Sequence, residues 1–168
     1  MQQLSSIVGL LAAAFVFGAT VWFFFIQAPA LLARLGRERF VPIQMMATRV
    51  LGKTLVVGTL LMLGAALLAA FTAPSGSPLS PLVLSAGVAL LGALVNERLL
   101  IPRALKAGGR GHLEIRGHDK DASTAGFAAD GVGSATATLH RLVVLFVVVM
   151  LAGVVPYLLI LAALLPAS

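Results

Sequence analysis

Four long apolar stretches constrain this chain more than anything else in it. They run over about residues 5–30, 54–71, 82–100 and 142–165. A bilayer core of about 30 Å is crossed by about 20 apolar residues in a helix. None of the four carries a charge at its centre. In lipid the backbone must satisfy its own hydrogen bonds, so such stretches become helices. The composition agrees: 60% of the 168 residues are hydrophobic and 11% are charged. A soluble domain has about 25% charged residues and less apolar surface to hide. The expected fold is all-α, a polytopic membrane protein. It is a four-transmembrane-helix bundle in one domain, with a short cytoplasmic amphipathic helix.

Helix punctuation falls between the stretches. Pro74-Ser75-Gly76-Ser77-Pro78 breaks the chain between the second and third. Ser80-Pro81 opens the third as a cap followed by a first-turn proline. Pro102 bounds its far end. Pro156 lies within the fourth, where it removes a backbone donor and predicts a kink. The first stretch reads as a retained span. Its leading residues MQQLSS carry no Lys or Arg, and it exceeds the apolar length of a signal peptide.

The charges orient the bundle. The first connection holds Arg34, Arg37, Arg39, Arg49 and Lys53. The third holds Arg98, Arg103, Lys106, Arg110, Arg116, Lys120 and Arg141. Together these are all twelve basic residues of the chain. With four spans the two connections share one face, and basic loops stay in the cytoplasm. Both chain ends are therefore expected outside, in a plasma or bacterial inner membrane. The net charge of +6 then speaks of orientation and anionic lipid rather than nucleic acid.

In the first connection Phe40, Ile43, Ala47, Val50 and Leu51 recur at helical spacing. This is the expected amphipathic surface helix, running into the second span. Arg34, Arg37, Arg39, Arg49 and Lys53 are the expected lipid-headgroup contacts. The third connection, about 106–138, is rich in Gly, Ala, Ser and Asp and reads as a flexible loop. Asp130-Gly131-Val132-Gly133 argues against an inward extension of the last helix.

Polar residues gather at the cytoplasmic boundary: Gln27, Gln44, Asn96, Glu97, Arg98, Arg103, His140 and Arg141. Ionisable groups near the membrane are costly and mark candidate sites. The plainer reading is that they lie just outside the hydrocarbon and lock the helix ends together. His112, His118 and His140 match no metal spacing, and the chain has no cysteine. No metal or cofactor is expected. No nucleophile elbow, phosphate loop or HExxH motif is present. The expected function is thus a non-enzymatic accessory protein or lipid-interacting scaffold. Its expected partners are anionic lipid headgroups, a further copy of the chain or another membrane protein, but no nucleic acid. Two rivals stand beside it. One is an oligomeric transporter or channel component for a small solute or ion. The other is a haem- or quinone-linked redox protein using His140.

Three stretches together suggest a relationship: GATVWFFFIQAPALLARLGRERFVPIQ, VNERLLIPRALK and LHRLVVLF. Their order resembles the transmembrane protein 205-like family, small four-span membrane proteins of poorly defined function. The resemblance implies a fold and a compartment, and no reaction. The chain departs from the family where small polar residues usually follow the last-span histidine, since Val143 and Val147 stand there. It departs again after LGRERF, where MMATRVLGK replaces an aromatic segment.

Overall fold

The computed structural model describes residues 2–72, 80–103, 106 and 130–164. The described residues are helical throughout, apart from Gly36. Four helices are long and apolar enough to cross a membrane: Gln3–Gly36, Ile43–Thr72, Ser80–Arg103 and Arg141–Leu164. The protein is an all-α, multi-pass membrane protein.

The elements in chain order are α1 (Gln2–Val21), a π-helical turn (Trp22–Gln27) and α2 (Ala28–Thr72). Then come α3 (Ser80–Val95), a second π-helical turn (Asn96–Leu100) and α4 (Asp130–Leu164). The reversal within α2 is made by Gly36, at φ 67° and ψ 167°. That conformation is open essentially to glycine alone. The chain before Gly36 and the chain after it then lie antiparallel. Gly9 faces Ala65, and Gly58 faces Val16.

α1 packs on α2, α2 on α3, α3 on α4, and α4 closes back on α1. The seams are built from small residues. Ala12, Ala13, Ala66, Ala69, Ala86, Ala89 and Ala93 are buried. Lipid tails are as apolar as leucine, so helices in a membrane associate by close packing rather than hydrophobic burial. Large apolar side chains accordingly face outward. Phe71 is 84% exposed and Leu84 70% exposed. In water such a surface would aggregate; in lipid it is the solvated face.

Buried polar groups are settled locally. Thr20 Oγ1 donates to the Val16 carbonyl at 2.7 Å, and Thr59 Oγ1 to the Leu55 carbonyl at 2.9 Å. Tyr157 reaches across the bundle and donates to the Met62 carbonyl at 3.3 Å.

The amphipathic stretch from Phe40 to Lys53 is helical and runs without a break into the second span, as its spacing predicts. The break lies earlier, at Gly36, where backbone geometry sets it. The loop expected to reach residue 138 gives way to helix at Asp130. Gly131 and Gly133 cost a helix about 1 kcal/mol each. Extending a helix already formed by the span is cheap compared with nucleating one. An acid at the helix start also complements the dipole. The rest of that connection, 107–129, with His112 and His118, lies outside the described residues. So do residues 73–79.

Candidate functional site

Both π-helical turns lie at the basic end of the bundle, and each has a proline two residues beyond it. In the first, the Ala28 N–H donates to the Phe23 carbonyl. In the second, the Ile101 N–H donates to the Asn96 carbonyl. Each bond spans five residues rather than four. Pro29 and Pro102 follow. A proline inside a helix lacks an N–H and crowds the carbonyl four residues back. Widening the preceding turn relieves that crowding. Proline alone does not force it, since Pro156 sits within α4 with no such turn. π turns make up well under 1% of residues and are frequent at functional sites.

The two turns converge on one cavity. Phe24 of the first and Asn96 of the second both line it. Thr48, Leu51, Gly52 and Leu55 of α2 form another wall. Val147 and Met150 of α4 form a third. Its free volume is about 10 Å³, roughly what one water molecule needs. Gly52 keeps the α2 wall close: a Cβ there would come within 2.8 Å of Ile101 Cδ1.

Asn96 is the polar centre of this place. It is 8% exposed. Its Nδ2 donates to the Val143 carbonyl of α4 at 3.4 Å. That contact fixes the amide, because a flipped side chain would set two oxygens face to face. Its Oδ1 is buried and has no hydrogen-bond partner among the described residues. Gln44 Oε1, one turn before Thr48 on α2, is in the same condition. The Thr48 hydroxyl donates to the Gln44 carbonyl at 2.7 Å, which leaves its oxygen free to accept.

The remaining boundary residues are arranged differently. Glu97 pairs with its neighbour Arg98 at 3.0 Å, with the Arg98 side chain 78% exposed. Arg103 and Arg141 are exposed, and Gln27 is half-buried at the end of the first π turn. The backbone of His140 belongs to α4, but its side chain lies outside the described residues. The structure thus joins Asn96 to the cavity and leaves the arginines on the surface. Thr48 was not singled out in the sequence, and neither Gly52 nor Phe24 was read as lining a site. A proline two residues beyond an aromatic or polar run was the available signal.

Residues 11–112 match a family model described as a domain of unknown function, DUF4149. That is more than half of the chain. The chain belongs to the DUF4149 family. No curated protein and no solved structure matches it. The DUF4149 region contains both π turns, Gly36 and every cavity residue except Val147 and Met150. α4 lies beyond the match, yet it supplies the carbonyl that holds Asn96.

Proposed function

We propose that this DUF4149 protein is a non-catalytic membrane protein that engages anionic lipid headgroups at its cytoplasmic face and acts there as an accessory or scaffold. The observation that carries this reading is the basic end of the bundle. Arg34, Arg39, Arg49, Lys53, Arg103, Lys106 and Arg141 are all exposed there. Among the described residues, Glu97–Arg98 is the ion pair present, and it involves none of these seven cations. Each basic residue near an anionic leaflet contributes about 1 kcal/mol of attraction.

Helix length supports the same reading. The helix Gln3–Gly36 has 34 residues, about 51 Å at 1.5 Å per residue. The hydrocarbon core is about 30 Å. The α1–α2 hairpin therefore tilts or overhangs, and its overhang carries Arg34 and Arg39 into the headgroup layer. The positive-inside rule places this end in the cytoplasm and the chain ends outside, in an inner membrane. Kinship with the transmembrane protein 205-like family belongs to the same proposal. Its support is LGRERF and VNERLLIPRALK inside the matched region, and LHRLVVLF beyond it.

The test is thermal unfolding in nanodiscs of phosphatidylglycerol against nanodiscs of phosphatidylcholine. The anionic lipid should raise the midpoint, and 1 M salt, with a screening length of about 3 Å, should erase the gain. Replacing Arg34, Arg39, Arg49 and Lys53 together by Gln should erase it as well. Equal midpoints in the two lipids would sink the reading.

The cavity favours a second reading, a small-solute or ion transporter component working as an oligomer. Buried polar acceptors at membrane depth are the type of feature a pathway uses. Flux of a small solute into proteoliposomes, lost in Asn96→Leu, is the measurement for it.

A further inference from the structure

We propose that the cavity between the two π turns is a specific binding site for one water molecule. The water donates its two protons to Asn96 Oδ1 and Thr48 Oγ1. This inference does not depend on the lipid-binding reading.

Asn96 Oδ1 is buried, and its orientation is fixed by the Nδ2 contact to the Val143 carbonyl. It cannot turn to find a donor. A buried acceptor left without a partner costs about 1–3 kcal/mol, and a membrane interior supplies no bulk water to relieve it. Thr48 Oγ1 has already spent its proton on the Gln44 carbonyl, so it too can only accept. Both residues line the same cavity. The site therefore offers two acceptors, with the Thr48 proton and one Asn96 Nδ2 proton already engaged, and its complement is a molecule with two protons to give.

Size and charge narrow the occupant. A volume of about 10 Å³ is at the lower limit for a single water. A bare cation would also fit by size, but hard cations take about six or more oxygen ligands. The other lining residues are Phe24, Leu51, Leu55, Ala93, Ile101, Val147 and Met150, with Gly52. These contribute no anionic or side-chain oxygen ligand. Glu97, the nearest carboxylate in sequence, is held by Arg98. A neutral donor is what remains.

The site also explains the coincidence of the two π turns. Each widened turn displaces its helix locally, and the displacements meet at the same point. Water bound there satisfies Asn96 while Asn96 ties α3 to α4 and Thr48 ties the site to α2. Three of the four helices are then held through one hydrogen-bonded centre, with Phe24 of α1's π turn closing the side.

The experiment is proton-detected solid-state NMR of the whole chain in bilayers, reading magnetisation transfer from water. Transfer should reach the Asn96 side-chain amide protons and the Ala93 methyl group. In Asn96→Leu the transfer to the Ala93 methyl should be lost. In Thr48→Val, which leaves the Asn96–Val143 contact in place, transfer to the Asn96 amide should fall. Absence of transfer in the natural protein overturns the proposal. So does transfer that persists unchanged in both variants. An Asn96 amide shift that titrates with Na⁺ or K⁺ would assign a cation instead and overturn it equally.

Discussion

Gly153 has no room for a side chain. A Cβ there would lie 2.5 Å from the Ala89 nitrogen and 2.5 Å from the Ser85 carbonyl oxygen, both backbone atoms of α3. Backbone cannot rotate away as a flexible side chain can, so α3 and α4 would have to separate. Overpacking of this kind costs about 1–3 kcal/mol. Gly64 is the contrast: a Cβ there meets nothing within 4 Å, because it faces outward. Gly153→Ala should lower the thermal midpoint in detergent, while Gly64→Ala should hold it or raise it. The helix-propensity gain of Ala over Gly is up to about 1 kcal/mol and is the same in kind at both positions. The opposite signs therefore come from packing alone. Matching shifts for the two variants would show that the α3–α4 seam is looser than described. Asn96 follows the same residue-level logic: what it does is set by the Val143 carbonyl on one side and the cavity on the other.

At the scale of elements, the hairpin depends on Gly36. Its φ of 67° with ψ of 167° costs a side-chain-bearing residue about 1–3 kcal/mol. No contact of a new Cβ is involved, since none would meet an atom within 4 Å. Gly36→Ala should therefore destabilise by backbone strain alone, and Gly36→Val by more, as a β-branched residue fits that region worse. Unfolding midpoints in one detergent check the order. An unchanged Gly36→Val midpoint would mean that the reversal is made elsewhere.

The elements also show which features the sequence made legible. Apolar length marks a span directly, because lipid demands it, and the charges mark one end just as directly. The location of Asn96 near that end was legible for the same reason. The π turns were not, because hydropathy is blind to whether a helical bond spans four residues or five. Pro29 and Pro102 hinted at them, but Pro156 carries the same residue with no widened turn. The helix start at Asp130 was hidden for a different cause. Local glycine penalties at Gly131 and Gly133 were weighed without the long helix that propagates into them. Thr48 was hidden because the cavity it lines is completed by residues of both π turns, α3 and α4.

For the molecule as a whole, the headgroup reading rests on which way the bundle stands in its membrane. All twelve basic residues belong to the first and third connections and their flanks, and in an up-and-down bundle these share one end. Translocating such loops is resisted, so this end should remain in the cytoplasm. The chain is suited to a direct test, as it has no cysteine of its own. Ser80 and Lys106 are exposed at opposite ends of the third span. In intact cells a membrane-impermeant maleimide should label Ser80→Cys and spare Lys106→Cys. Inside-out vesicles should give the reverse. Reversed labelling would place the basic end outside, away from the anionic leaflet, and would remove the footing of the headgroup reading. Labelling of both from the same side would go further, because α3 could then no longer be a span. The water site would survive the first result, since its chemistry depends on packing and not on direction.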